Sequence, residues 1–326
     1  MSRVILQPSG NAGARHHYID TILNPVPLAR IQPFLTTEEF RDLQLIYPNG
    51  VCYIWGVTSG GSNETKWNRI ERGDITLFSR DGAIYASGVT TFKLHNRNLA
   101  IELWNVNDEN ETWEYIYFLE EIKRQHIPYL DFNRSVIKLN GDPYDDDYVI
   151  QGFNVLYERQ CQLLLTRYDL ESEVFLPEVA PNEFANLVNQ LDNLAETERQ
   201  ITTTRRLEQG FLKDHLFGRS ILGICACCHK ELPVSYLVTA HIKKRSHCTP
   251  TEKRDLNVVM PMCKFGCDEL FEKGYIKVQG GLFIRSGKNP TTVELENYIE
   301  QIVGNNCQYF NPQTEEYFNW HFVHHG

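Results

Sequence analysis

Six of the nine cysteines lie close together in the second half of the 326-residue chain. Cys225 and Cys228 form one close pair, and residues 229–262 separate it from a second pair, Cys263 and Cys267. Two such pairs can supply the four thiolates of a tetrahedral zinc site, whereas buried free thiols would act only as small apolar groups. Because no secretion signal precedes them, clustered cysteines indicate metal ligands before disulfides. The spacing therefore predicts one structural Zn²⁺, with Cys227 as a competing ligand in the first pair.

The same segment contains residue types that could hydrolyse a phosphodiester. His241 and Asn257 lie between the cysteine pairs, and Asp268 directly follows the second pair. A neutral imidazole titrates near working pH and can take a proton from water. A carboxylate is a good ligand for a hard divalent ion, which could neutralise charge on the scissile phosphate.

This arrangement resembles the HNH endonuclease family in its zinc-stapled ββα-metal form. The resemblance covers roughly residues 215–280: an Ala-His-Ile strand, a central Asn and a closing Cys-Asp-x-Leu-Phe-x-x-Gly segment. It implies that His241 is the general base, that Asn257 orients it, and that Asp268 binds a catalytic Mg²⁺ or Mn²⁺. It also implies DNA backbone contacts from the basic residues next to the base, which are Lys243, Lys244 and Arg245.

One position departs from that family. Many relatives carry an acidic metal ligand just before the base, and here that position is Ala240. Glu272 and Asp255 are the candidates for a second protein ligand, and binding through one protein ligand completed by DNA phosphate is the third alternative.

The charge distribution is uneven in a way that bears on a polyanionic partner. The formal net charge is −10. Residues 169–198 contain eight acids and no base, whereas residues 205–254 contain ten bases and four acids. A local basic stretch is what a nucleic acid would need, although a solvated helix face has the same composition.

The first half of the chain has the patterns of a strand-rich domain. A capping-box-like start at Thr36 or Thr37 predicts a short helix, and Val51–Val57 is a predicted strand. Asp81-Gly82 between two apolar runs predicts a hairpin. Residues 99–104 and 113–120 are further predicted strands, and residues 184–216 are a predicted helix.

Residues 50–125 resemble the EVE/YTH-like branch of the PUA superfamily, through the runs at 53–59, 73–82 and 113–118. The resemblance implies a pocket that holds a modified base flipped from the duplex, of which 5-methylcytosine and 5-hydroxymethylcytosine are the expected forms. Trp67 and Trp104 are the expected walls of the pocket, and Thr58 and Ser59 its polar floor. Trp55 and Trp113 are expected in the core instead, because their strands alternate apolar residues.

Together these features predict an α+β chain with three parts: a PUA/EVE-like β-barrel (1–165), a helical linker (166–205) and a zinc-stapled HNH domain (206–326). The predicted function is a modification-dependent restriction endonuclease that acts in host defence on double-stranded DNA containing modified bases. The alternatives are an HNH nuclease that reads an ordinary sequence and a non-catalytic zinc-containing nucleic-acid-binding protein. With no signal peptide or membrane span, the expectation is a cytoplasmic protein without a membrane partner, active as a homodimer.

Overall fold

The computed structural model describes residues 2–172, 174–176, 179–192 and 198–325; the side chains at 181, 190–192 and 198–207 are not described. The chain divides into two compact units, Met1–Glu178 and Val179–Gly326. The domain boundaries predicted from the sequence lie near residues 165 and 205. Within the described residues, no helix has both the length and the apolar character that crossing a membrane requires.

The first unit is built on a seven-stranded sheet in the order β2-β3-β6-β5-β4-β1-β7. Only β1 and β4 pair in parallel; the other neighbours are antiparallel. The strands are β1 (Val4–Pro8), β2 (Val26–Pro27), β3 (Val51–Val57), β4 (Ile75–Arg80), β5 (Ala83–His95), β6 (Tyr115–Pro128) and β7 (Asn154–Leu156). The helices are α1 (Ala12–Tyr18), α2 (Leu28–Ile31), α3 (Thr37–Ile46), α4 (Asn63–Asn68), α5 (Arg97–Trp104), α6 (Tyr129–Asn133) and α7 (Glu158–Arg167).

The expected α+β class is confirmed, but strand pairing does not close the sheet into the predicted barrel. Strands β2 and β7 form its two edges, and no pairing joins them in the part of the chain that the structure describes. They are two and three residues long, which is too short to make the ladder that closure requires. The register shifts between β4 and β5 and between β5 and β6, and such irregularities are typical of strands that bend.

Two local predictions are confirmed and one is wrong. The Asp81-Gly82 turn joins β4 to β5 with φ of 53° and 82°, and Thr36 caps α3 in a complete capping box with Glu39. Residues 99–104, predicted as a strand, belong instead to helix α5. The cause is local, because the Asn96 side chain accepts a hydrogen bond from the Leu99 amide at 2.9 Å and so caps a helix.

The second unit surrounds the cysteines with short elements. Its helices are α8 (Pro181–Asp192), α9 (Glu198–Phe217), α10 (Cys267–Glu272), α11 (Val293–Glu300) and α12 (Glu315–His324). Its three antiparallel pairs are β8 (Leu222–Ile224) with β9 (Glu231–Pro233), β10 (Leu237–His241) with β11 (Val259–Cys263), and β12 (Ile276–Gln279) with β13 (Leu282–Arg285).

The predicted helix over residues 184–216 is divided into α8 and α9, and residues 193–197 lie outside the described part of the chain. Phe184 and Val188 of α8 are buried in the same hydrophobic cluster as the cysteines. Helix α8 therefore packs as part of the second unit, where the sequence analysis expected a separate linker.

Gly56 of strand β3 lies where there is no room for a side chain. A Cβ at Gly56 would press into the main-chain oxygen of Trp113 and lie 3.1 Å from the ring of Trp104. We expect Gly56→Ala to lower the free energy of unfolding by about 1–3 kcal/mol, because backbone and indole would have to move. Thermal or denaturant unfolding measures this.

Gly152→Ala is the matched control, because a Cβ there has no atom within 4 Å. Equal stability of the Gly56 variant and the control would contradict the close packing of β3 against these two tryptophans.

Candidate functional site

The structure brings four cysteines together in the second unit. The Sγ atoms of Cys225, Cys228, Cys263 and Cys267 all lie within 4.8 Å of one another. The Cys228 and Cys263 sulfurs are 4.0 Å apart, close to the spacing of two thiolates on a tetrahedral Zn²⁺ with Zn–S bonds of about 2.3 Å. Hydrogen bonds from the Cys225 and Cys267 thiols lower the pKa of Cys263, which favours a thiolate. The group could hold a metal ion such as zinc, and it is the only such group found within the described residues.

Main-chain hydrogen bonds shape the first cysteine pair and select between its two candidate ligands. The Cys225 amide donates to the Lys230 carbonyl at 3.1 Å, and the His229 amide donates back to the Cys225 carbonyl at 3.0 Å. In this turn Cys228 joins the cluster, whereas Cys227 is fully buried outside it. The candidate ligands of the first pair are therefore Cys225 and Cys228.

The second unit also contains an antiparallel strand pair followed by a helix, and His241 ends the first of these strands. His241 lies opposite Val259 in the β10–β11 ladder, and α10 follows β11. Burial lowers the pKa of His241 to about 4, with Arg245 adding to the shift and Glu272 opposing it. The imidazole is therefore neutral at pH 7 and keeps one ring nitrogen as an acceptor.

Helix α10 carries two acids of interest, and one of them, Glu272, acts electrostatically on His241. Asp268 and Glu272 are one helical turn apart and so share a face of the helix. Burial, followed by repulsion from Glu272 and Glu269, raises the pKa of Asp268 to about 6. Carboxylates that repel each other are the donor type that a hard divalent cation relieves, so Asp268 and Glu272 fit Mg²⁺ or Mn²⁺ in chemistry.

Asp255, the other candidate metal ligand, is engaged elsewhere. Its Oδ2 accepts from the Tyr317 hydroxyl at 2.6 Å, and its Oδ1 accepts from both the main-chain and side-chain nitrogens of Asn257. Asn257 was expected to orient His241, but its amide donates to Asp255 and makes no hydrogen bond to the imidazole within the described residues. The reason is the tight turn at 255–257, which brings the Asn257 amide back to its own neighbour.

The three basic residues next to His241 are ion-paired within the unit. Lys243 contacts Glu252 at 2.6 Å with both side chains mostly buried, and Arg245 contacts the buried Glu208 at 3.1 Å. Lys244 pairs with Glu272 at 2.9 Å where both are half exposed. The expectation of three cations free to bind DNA phosphate is therefore wrong for the buried Lys243, because its charge is satisfied by an acid that the sequence places nine residues away.

The C-terminal helix was not recognised in the sequence, although its histidines lie close to α10. His321 of α12 is buried, stacks on Phe271 at 3.7 Å and contacts the Phe271 carbonyl through Nε2 at 2.9 Å. His325 lies so close to Gly274 that a Cβ there would clash with its ring. The signal available in the sequence was histidine at 321, 324 and 325, which repeats at helical spacing.

In the first unit, the two tryptophans predicted to share a pocket lie in separate aromatic groups. Trp67 is 8% exposed, donates Nε1 to the Ile116 carbonyl at 3.1 Å, and is covered by the Lys93 ammonium at 4.8 Å. Its ring neighbour is Tyr115, and within the described residues no ring contact joins it to Trp104. Trp67 therefore has the contacts of a core residue, Trp104 is exposed to the same small extent, and the slot between the two rings stays a prediction.

Trp104 belongs to a group with His17 and Trp113. His17 stacks on Trp104 with centroids 5.6 Å apart and meets Trp113 edge-on at 4.1 Å. Trp55, expected in the core, is fully buried and contacts Trp113 at 5.0 Å, whereas Trp113 itself is half-buried. Burial lowers the pKa of His17 to about 4, so the ring is neutral.

This group contains buried polar atoms that have no partner in the protein: His17 Nδ1, Trp55 Nε1, Trp104 Nε1 and the nearby Thr112 Oγ1. An unpaired buried donor or acceptor costs about 1–3 kcal/mol, so several in one group indicate a place for a polar ligand. The sequence analysis missed His17 because it lies outside the segment that carried the resemblance. Thr58 and Ser59, the expected floor, are half-buried just after β3, where Asn63 donates to the Thr58 carbonyl at 3.2 Å.

No known family model matches this chain, and no curated protein matches it. Four chains of known structure match. One of them is the N-terminal domain of Thermococcus gammatolerans McrB bound to m5C DNA, which is 17% identical. The match covers 52% of this chain and 96% of that one with a TM-score of 0.37, which does not establish a common fold.

The cysteine geometry predicts different roles for the adjacent thiols of Cys227 and Cys228. We expect the wild-type protein to contain about one zinc ion per chain and Cys228→Ser to lose most of it, because a tetrahedral thiolate site needs all four ligands. Cys227→Ser is the matched control and should keep its zinc. Metal analysis of protein purified without added zinc measures both, and a metal-free wild type with a folded second unit would contradict the assignment.

Proposed function

We propose that this chain is a metal-dependent DNA endonuclease that recognises a modified base. The observation that carries the proposal is the position of His241 at the end of β10, electrostatically coupled to Glu272 of α10, in a unit that also contains a four-cysteine cluster. In this proposal the second unit hydrolyses the phosphodiester, and the first unit holds the modified base.

The catalytic roles follow from protonation states. Neutral His241 takes a proton from the attacking water; the new P–O bond forms, the P–O3′ bond breaks, and the leaving 3′ oxygen takes a proton from solvent. A nitrogen with a pKa of about 4 is a weak base, and the charge of Glu272 opposes the burial that lowers this pKa. Asn257 acts indirectly in this scheme, by fixing the turn before β11 through Asp255.

Asp268 and Glu272 are the proposed protein ligands of Mg²⁺ or Mn²⁺, with the remaining positions left to water and substrate phosphate. When bound, such an ion would neutralise charge on the phosphate and the leaving oxygen. Within the described residues these acids do not form a closed three-ligand group, which fits a site that the substrate itself completes. The exposed Lys244–Glu272 pair is weak enough for Glu272 to exchange partners on binding.

For base recognition we propose the group of Trp104, Trp113 and His17 in place of the expected slot. Aromatic rings supply stacking of about 1–3 kcal/mol per base, and the unpaired nitrogens supply hydrogen bonds to its polar edge. The proposed base is 5-methylcytosine or 5-hydroxymethylcytosine. Because each chain has one such nuclease centre, a double-strand cut would require two protomers.

Two other functions remain as competitors. A nuclease that reads ordinary sequence would cut without preference for modified bases, and a non-catalytic zinc protein would bind DNA without cutting. Glu272 next to His241 favours an enzyme over the non-catalytic protein, because a purely structural zinc unit has no need of a carboxylate coupled to a buried, neutral imidazole.

His241→Ala tests the nuclease. We expect cleavage to fall at least about a hundredfold, because general base catalysis typically contributes about 10²–10⁴. DNA affinity and zinc content should not change, since neither uses this ring. His247→Ala is the matched control, as His247 is exposed on the loop after β10. Gel-based cleavage assays measure both variants, and near wild-type cutting by His241→Ala would remove the assigned base.

Trp104→Ala tests base recognition. We expect binding of modified duplex to weaken about five- to a hundredfold through lost stacking, with less effect on unmodified DNA. Trp67→Phe is the control and should keep the preference, because Trp67 lies in the other aromatic group. Fluorescence anisotropy measures affinity and circular dichroism confirms folding. A folded Trp104→Ala protein with wild-type preference would place the base elsewhere.

A further inference from the structure

The first unit contains a cavity of about 310 Å³ away from the aromatic groups. Its lining is Arg3, Tyr157, Glu158 and Arg159. It opens at the surface, because Tyr157 and Arg159 are both exposed. Two of the four lining side chains are arginines, whose planar guanidinium matches the oxygens of a phosphate.

Arg3 is held in place by the sheet. Its main-chain amide donates to Asp74 at 2.8 Å, and its guanidinium contacts the Arg69 carbonyl and pairs with Glu71 at 3.2 Å. The Arg3 side chain keeps 22% of its surface exposed. A cation fixed on a strand in this way loses little conformational freedom when it binds an anion.

A third arginine supports the cavity wall. The Arg69 guanidinium lies 4.7 Å over the ring of Tyr157, and its Nε is buried without a hydrogen-bond partner. A buried N–H without an acceptor costs free energy. An anion next to Tyr157 would lower that cost for Arg69 Nε, because its negative charge attracts the guanidinium. Arg69 therefore adds positive potential behind Tyr157, which lines the cavity.

Arg159 is the most exposed cation in the lining of the cavity. It is exposed in the first turn of α7, and it has no ion-pair partner in the described ranges of the chain. Glu158 in the lining and Glu71 beside Arg3 oppose an anion. With the buried Asp74 that also contacts Arg3, three guanidiniums face three carboxylates, so the attraction for an anion comes from the placement of the arginines in the lining and not from a surplus of charge.

We propose that this cavity binds a phosphate group of the DNA backbone when the first unit holds its base. The inference rests on the proposed function, since it takes its ligand from the same DNA. Phosphate contacts set the position of a protein on a duplex without reading its sequence, and flipping a base needs the backbone to be held.

Arg159→Gln tests this in the full chain, with Arg167→Gln as the matched control at the other end of α7. We expect Arg159→Gln to weaken binding of modified and unmodified duplex alike, and to reduce the slope of log affinity against log salt by about 1. Arg167→Gln should match the wild type. Anisotropy titrations at several salt concentrations measure the slope.

A second measurement identifies the source of the phosphate. Modification of arginines by phenylglyoxal, followed by mass spectrometry, should be slower at Arg159 when duplex DNA is present and unchanged at Arg167. Protection by inorganic phosphate but not by DNA would overturn the proposal in favour of a small phosphorylated ligand.

The outcomes separate the two proposals. If the wild type prefers modified DNA while Arg159→Gln keeps the wild-type slope and Arg159 is not protected, the cavity proposal fails and the proposed function stands. If the wild type binds no duplex, the proposed function fails and the DNA phosphate site fails with it.

Discussion

The convergence of four thiols is the contact on which the second unit depends. Cys225 and Cys228 belong to the turn after β8, Cys263 ends β11, and Cys267 begins α10. These elements are three to six residues long, too short to be stable alone. A metal that cross-links all three would contribute folding free energy directly. It would also fix the candidate site, because Asp268 follows Cys267 in α10 and β11 pairs with the strand that ends at His241.

The sequence predicted those features that depend on local chemistry. The cysteine spacing predicted the four-cysteine cluster, Asp81-Gly82 predicted the hairpin, and Thr36 predicted the capping box, since each needs only a few neighbouring residues. Features that depend on distant contacts were missed or misassigned. Trp67 looked exposed next to polar neighbours, yet the Lys93 ammonium and the Ile116 carbonyl complete its burial from 26 and 49 residues away.

The net charge of a sequence segment likewise did not predict which of its cations are free. The basic stretch at 205–254 suggested free cations, but Lys243 and Arg245 find acids within the unit, Glu252 and Glu208. A buried lysine must be paired with an acid. Whether a lysine is free to bind DNA therefore depends on its burial in the fold more than on the residues next to it in the sequence. In the first unit, the cavity arginines lie at positions 3 and 159, where no sequence window could have combined them. Unpaired buried atoms near Trp104 and an open cavity lined by two arginines are therefore features that only the folded chain reveals.

The most direct measurement of the central claim is digestion of matched duplexes that contain cytosine, 5-methylcytosine, 5-hydroxymethylcytosine or N6-methyladenine, with Mg²⁺ or Mn²⁺ present. If the base site and the nuclease site act together, only duplexes with a 5-substituted cytosine are cut, and chelation of the divalent ion stops cutting. Equal cutting of all four duplexes would contradict modified-base recognition. No cutting of any duplex by zinc-loaded protein would contradict the nuclease itself.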